Sequence, residues 1–121
     1  MTLRLPEDKV FPSALEKMKA FHADVVAEVE RAISTNDVVV VGMAQNPFVK
    51  RARKALSGAG ISSTYLEYGS YLGEWKKRLA IKMWARWPTF PMVFVKGSLF
   101  GGAVDVEKAI ADGSFKKLLE G

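Results

Sequence analysis

The chain has 121 residues, of which 49% are hydrophobic and 26% are charged, and its net charge is +5. This length and balance predict a single globular domain and exclude a disordered chain, and no apolar run approaches the ~20 residues that span a bilayer. The basic balance favours anionic partners such as carboxylates, phosphates or nucleic acid. Residues 1–10 are polar, are predicted to be mobile and lack an apolar signal core, so we expect a cytoplasmic protein without a membrane partner.

The chain contains no cysteine and only one histidine. Disulfides, thiol chemistry and thiolate-held zinc or iron–sulfur sites therefore cannot be built from this chain alone. A single histidine without a second ligand at helical spacing also argues against a metal site. The sequence thus predicts neither a catalytic residue nor a metal ligand.

The first periodic pattern predicts one long helix that opens at Phe11-Pro12-Ser13 and is broken by the polar residues 34–37. Apolar residues recur along it at steps of three and four, which is typical of a helix with one buried face. The stripe consists of Leu15, Met18, His22, Val25, Val29 and Ile33. Because His22 falls on this stripe, we expect a histidine at the edge of the core rather than a metal ligand.

A continuous β-branched run, Val38–Val41, follows and predicts a central strand that is covered on both faces. The next helix is predicted from about Pro47 to Leu56, because proline suits the first helical position. Asn46 is its expected N-cap, with a side-chain oxygen that accepts a free backbone N–H. Residues 63–67 predict a second strand.

The second half of the chain predicts a helix, a hairpin and a final helix. Leu72, Trp75, Leu79 and Met83 form one apolar stripe of the third helix. Residues 92–95 and 98–100 predict two strands joined by the two-residue turn Lys96-Gly97. Asp105 is the expected cap of a helix that reaches about residue 111, and Ser114 begins a terminal helical turn.

The element order α-β-α-β-α-β-β-α predicts an α/β fold, a mixed four-stranded sheet with helices on both faces. We expect one domain over residues 1–121. Within it, residues 1–36 form an N-terminal extension with an extra helix, and residues 37–121 form the core.

Three ordered motifs resemble those of the glutaredoxins, most closely the monothiol class. They are Trp87-Pro88-Thr89-Phe90-Pro91, the segment 93–97, and the pair Gly101-Gly102. The resemblance covers about residues 37–121 and implies the thioredoxin-like fold. It also implies a cis peptide bond between Phe90 and Pro91, on the opposite side of a groove from Asn46-Pro47.

The place of the family's active-site motif is held here by Asn46-Pro47-Phe48-Val49. Asn46 stands where the family has its nucleophilic cysteine, and Val49 stands where dithiol members have the resolving cysteine. Met43 replaces a lysine that usually contacts glutathione. Since a neutral amide is a poor nucleophile and a poor iron ligand, we expect no thiol–disulfide activity and no iron–sulfur cluster.

The resemblance also implies residues that would contact a ligand. Arg78 matches an arginine that contacts the glycine carboxylate of glutathione, although Glu74, four residues earlier, offers an ordinary surface ion pair instead. Thr89, Phe90 and Pro91 form the loop that would pair with an extended ligand, unless Pro91 simply begins a strand. The backbone N–H groups of Gly102 and Ala103 could receive an anion, whereas the neighbouring Val104 offers no hydrogen bond.

The sequence therefore predicts a glutaredoxin-like protein without a redox cysteine. Its expected function is a non-redox binding module for glutathione, held weakly, for an extended peptide or for an acidic protein partner. The last is suggested by the basic residues over 50–54 and 76–86, for which single-stranded nucleic acid is the less favoured partner. The alternative is a transferase-like enzyme that uses the thiol of its substrate, with Asn46 hydrogen-bonded to that thiolate.

Overall fold

A four-stranded mixed sheet forms the centre of the computed structural model, which describes residues 5–121. Residues 1–4, the beginning of the segment predicted to be mobile, lie outside that range. The strands are β1 (Val38–Gly42), β2 (Thr64–Glu67), β3 (Met92–Val95) and β4 (Ser98–Gly101). Their order is β2-β1-β3-β4, with β1 parallel to β2 and antiparallel to β3, and β3 antiparallel to β4.

Six α-helices in the described range flank the sheet. They are α1 (Pro12–Ala20), α2 (Ala23–Thr35), α3 (Pro47–Gly58), α4 (Trp75–Ala85), α5 (Ala103–Ala111) and α6 (Ser114–Glu120). The predicted α/β architecture is confirmed. The hairpin between β3 and β4 also has the predicted two-residue turn, with positive φ angles at Lys96 (49°) and Gly97 (85°).

The central strand is buried on both faces, as its β-branched run predicts. Val39 and Val41 pack in one apolar cluster with residues of α2 and α4. Val38 and Val40 point the other way, into a second cluster with residues of α3, α5 and α6. The alternation of strand side chains therefore places α4 and α6 on opposite faces of the sheet.

The prediction of one N-terminal helix is wrong, because the chain breaks it into α1 and α2. His22 lies at the break with φ 46°, in the left-handed region, and precedes the first residue of α2. Val25 and Val29 of α2 are buried, whereas α1 buries no residue. Only the second half of the predicted stripe therefore belongs to the core.

The apolar stripe of α4 lies on its solvent side. The residues that α4 buries are Arg78, Ala80 and Ile81. The exposed fractions along the stripe are 96% for Leu72, 59% for Trp75, and 39% for Leu79 and Met83. Apolar periodicity alone predicts that the stripe is buried, because the stripe is more apolar than the face that actually packs on the sheet.

No helix within residues 5–121 has both the length and the apolar character needed to cross a membrane.

Candidate ligand-binding groove

A groove of about 280 Å³ lies where the start of α3, the loop before β3 and the start of α5 meet. It brings together most of the predicted site residues, and the peptide bond between Phe90 and Pro91 is cis, as predicted. The lining residues are Phe48, Trp87, Thr89, Phe90, Pro91, Gly102, Ala103, Val104 and Asp105. Trp87, Val104 and Asp105 were not among the predicted contact residues, although each lies within or beside the motifs that suggested the site.

Asn46 caps α3, as predicted. Its side-chain Oδ1 accepts hydrogen bonds from the backbone N–H groups of Phe48 (2.9 Å) and Val49 (3.1 Å). Asn46 is buried but does not line the groove, and neither do Pro47 or the buried Val49. The free donors at the start of α3 are thus satisfied by the chain itself, at the point where a thiolate would need them.

Arg78 is buried and bonded inward rather than into the groove. Its Nη1 donates to the backbone oxygens of Tyr68 (3.0 Å) and Gly73 (2.7 Å). The alternative surface pair with Glu74 is wrong, because Glu74 pairs with Lys77 at 3.1 Å. Gly69, at φ +69°, lies so close that an added Cβ would be 3.0 Å from Nη1 of Arg78. Arg78 therefore fixes the loop that leads into α4.

Asp105 caps α5, as predicted, but from the third helical position, because the N-cap position belongs to Gly102. Its Oδ2 reaches back and accepts the N–H of Gly102 at 2.9 Å. Gly101, at φ +151°, makes room for it, since an added Cβ would be 2.5 Å from that oxygen. The chain's own carboxylate thus takes one of the N–H groups expected to receive an anion.

Two cations stand beside the aromatic residues of the groove. Nζ of Lys82 lies 5.6 Å from the ring centre of Phe90, and the guanidinium carbon of Arg51 lies 5.4 Å from that of Phe48. Within the described residues, the buried Nε1 of Trp87 has no hydrogen-bond partner. The groove therefore has an aromatic wall with Lys82 at its edge, while Arg51 is paired with Glu107 and the carboxylate of Asp105 also lines the groove.

A buried phenol ties the loop after β2 to the N-terminal helices. The hydroxyl of Tyr68 donates to Glu28 of α2, and the backbone oxygen of the same residue accepts from Arg78. Burial and this hydrogen bond raise the pKa of the Tyr68 phenol well above its ordinary value. Burial, together with a hydrogen bond to Glu67, raises the pKa of Tyr65 to about 12.

The site residues do not fit an iron–sulfur cluster of the kind that the resemblance to glutaredoxins suggests. The start of α3 offers no thiolate ligand, and the amide of Asn46 caps the helix. Within residues 5–121, no three His, Asp or Glu side chains lie together in a way that could hold a metal ion. The groove can therefore act by binding, through its backbone groups and aromatic walls.

Comparison with known proteins identifies the family, although no family model matches the chain. A protein of Dictyostelium discoideum named "Glutaredoxin-like protein" is 50% identical over 94 residues, which cover 78% of this chain and 76% of the relative. The chain belongs to the glutaredoxin family. The "Probable monothiol glutaredoxin GrlA" of Legionella pneumophila is 29% identical to this glutaredoxin-like chain over 77 residues, or 64% of the chain and 83% of the relative.

Solved structures show the same fold. The crystal structure of oxidized glutaredoxin 2 from Chlamydomonas reinhardtii has a TM-score of 0.70 and 25% sequence identity. The match covers 81% of this glutaredoxin-like chain and 92% of that protein. The thioredoxin-like fold expected from the motifs around Pro91 is thus confirmed.

Proposed function

We propose that this glutaredoxin-like chain is a non-redox binding module whose groove takes an extended peptide segment. The observation that carries the proposal is the backbone of Phe90. Among the described residues, neither its N–H nor its C=O takes part in a backbone hydrogen bond, and the residue lies on the groove beside Pro91. An extended peptide can pair with such groups as an added strand does.

The groove walls favour an apolar side chain of that peptide. Phe48, Trp87, Phe90 and Pro91 supply aromatic and aliphatic surface, and Val104 closes the side near α5. The volume of about 280 Å³ suits one side chain with its backbone rather than a large cofactor. Lys82 at the aromatic edge favours an acidic residue next to this anchor, whereas Arg51 is paired with Glu107 at 2.5 Å.

Glutathione is a poorer fit to the same groove, because several donors that would hold its carboxylates are engaged and Arg78 does not line the groove. Asn46 accepts the free N–H groups of α3, and Asp105 accepts the N–H of Gly102. Nη1 of Arg78 is bound to backbone oxygens. The carboxylate of Asp105 also repels an anion at the start of α5. We therefore propose that glutathione binds weakly.

The transferase-like alternative gains no support from this geometry. Asn46 does not line the groove, and its oxygen is engaged as a helix cap. A bound thiol would meet no cation or general base from this residue that could stabilise its thiolate.

Selection of linear peptides from a phage-displayed library on the intact protein tests the proposal. We expect enriched sequences with an apolar anchor and a neighbouring acidic residue, and calorimetry then gives the Kd of one synthetic representative. Val104→Trp should obstruct the groove and raise the Kd of this peptide by about tenfold or more. The matched control is Leu118→Trp, because Leu118 on α6 is exposed to the same extent (46% against 47%) and lies away from the groove.

Two results would overturn the proposal. One is a library that yields no enriched sequence. The other is an enriched peptide that binds the Val104→Trp and Leu118→Trp variants with equal affinity, since it would then bind outside the groove.

A further inference from the structure

The exposed apolar residues of α4 and its preceding loop form a surface that the groove does not use. Trp75, Leu79 and Met83 follow one another at helical spacing on the exposed side of α4, and Leu72 lies in the loop before the helix; we call these four residues the α4 stripe. Single apolar residues on a surface are ordinary, but four in a row at this exposure mark an interaction surface.

The loop at one end of the α4 stripe is held in place rather than loose. Ser70 and Gly73 form an isolated bridge, and the N–H of Leu72 donates to Oγ of Ser70 at 3.2 Å. From the inner side, Arg78 donates to the backbone oxygen of Gly73. The loop therefore presents Tyr71 (63% exposed) and Leu72 (96% exposed) to solvent in a fixed position.

The surroundings of the α4 stripe are basic. Lys76 and Arg86 are exposed on the helix, and Lys82 is half-buried beside them. Lys77 pairs with Glu74, which is the only carboxylate over residues 71–86. The charges of this segment that have no acidic partner are consequently positive, whereas Glu7 and Glu30 line a cavity beside Met83 at the other end of the stripe.

We propose that the α4 stripe is a peripheral docking surface for an anionic lipid bilayer. Leucine and methionine enter the acyl boundary, tyrosine and tryptophan settle at the headgroup level, and lysine and arginine contact the phosphates. This differs from the expectation of no membrane partner, which rested on the absence of a spanning segment and does not address peripheral contact.

The same features argue against two other occupants. A second copy of the chain would place Lys76, Lys82 and Arg86 against their own equivalents, which costs free energy. A folded protein would need a pocket for the almost fully exposed Leu72, whereas a fluid bilayer takes up an exposed apolar side chain without a matching pocket. The net charge of +5 adds a general attraction to anionic lipid.

Vesicle co-sedimentation tests this surface with the intact chain. We expect binding to vesicles of equal parts phosphatidylserine and phosphatidylcholine at low salt, and at least about tenfold weaker binding to phosphatidylcholine alone. The emission of the exposed Trp75 should shift to the blue on the anionic vesicles, and Trp75→Phe should abolish that shift.

Variants distinguish vesicle binding through the α4 stripe from vesicle binding through the net positive charge of the chain. Leu72→Ser with Trp75→Ser should weaken binding to the anionic vesicles by about tenfold or more. Leu118→Ser, on the opposite side of the sheet, should leave it unchanged, and circular dichroism should show all variants folded. The absence of sedimentation on anionic vesicles at low salt would overturn the proposal. Equal binding by the double variant and the Leu118→Ser control would do the same.

Discussion

One side chain, Asn46, decides which chemistry the groove lacks. Its oxygen holds the N–H groups of Phe48 and Val49, the donors that would otherwise lower the pKa of a thiol at this position. Asn46 therefore supplies no thiolate at this position, and its side chain satisfies the helix end.

Asn46→Cys should create a reactive thiol, because the N–H groups at the start of α3 would then face the sulfur. We expect a thiol pKa below the ordinary value of about 8.5, at a loss of roughly 1 kcal/mol of unfolding free energy from the missing cap. The rate of iodoacetamide alkylation as a function of pH measures this. Ser57→Cys is the matched control, because Ser57 is exposed near the other end of the same helix. A thiol pKa at residue 46 equal to or above that at residue 57 would contradict the assignment.

The two bonds of Arg78 Nη1 to backbone oxygens predict an effect on stability, while its contact with a carboxylate stays a prediction. Arg78→Ala removes two charge-assisted bonds to backbone oxygens in a buried place and should lower the unfolding free energy by about 2–3 kcal/mol. Urea denaturation measures the change. Arg31→Ala, at an exposed arginine of α2, should stay within about 0.5 kcal/mol of the parent chain. Equal values for the two variants would show that the buried bonds carry no net stability.

The sequence could predict the role of Asn46 but not the contacts of Arg78. An N-cap is a local feature, set by an asparagine directly before a proline and a helical pattern. The partners of Arg78 are backbone oxygens of a loop five and ten residues away, and nothing in their residue types marks them. Asp105 lies between these cases, since its bond to Gly102 is local but displaced from the cap position.

At the scale of elements, the break between α1 and α2 rests on a single backbone conformation. No glycine or proline stands at Phe21-His22, so the uninterrupted pattern predicted one helix. The break appears only because His22 adopts φ 46°. The prediction that the α4 stripe is buried failed for a similar reason. Apolar spacing does not reveal that an arginine and an alanine face inward.

Substitutions at His22 test that backbone conformation. His22→Gly should keep the unfolding free energy within about 0.5 kcal/mol, since glycine adopts a positive φ without steric cost. His22→Val should lower it by about 1–2 kcal/mol, because a β-branched residue resists this region. Thermal and urea unfolding provide the measurement. A valine variant as stable as the glycine variant would place the break elsewhere.

From the raised pKa values of Tyr65 and Tyr68, we expect the unfolding free energy to fall at alkaline pH. Both Tyr65 and Tyr68 have a raised pKa in the folded chain, and their unfolded value is near 10. The folded chain therefore holds these protons more tightly, and the resulting stability is complete below about pH 10 and declines as the pH rises above it. Unfolding free energies between about pH 8 and pH 11 should fall less steeply for Tyr65→Phe with Tyr68→Phe than for the parent chain. Parallel curves would contradict this.

At the scale of the whole molecule, the family fold is formed by a chain that contains no cysteine. The central sheet and its two apolar clusters depend on β-branched runs and short turns, and both features can be recognised directly in the sequence. That framework brings the loop at Pro91 to the start of α5 and leaves a groove between them. Binding through backbone groups survives the loss of a cysteine, because it does not depend on a reactive side chain.

The most direct test of this account is a backbone amide titration of the intact chain, followed by NMR, with glutathione and with the selected peptide in parallel. The resemblance implies that Met43, Asn46 and Val104 each lack a contact that the family makes with glutathione. At about 1–1.5 kcal/mol for each missing contact, the binding of glutathione is weakened by roughly 10²- to 10³-fold. We predict a millimolar Kd or no binding for glutathione, and saturable shifts at Phe90 and Gly102 with the peptide. A micromolar Kd for glutathione, with the same amides shifting, would contradict the account.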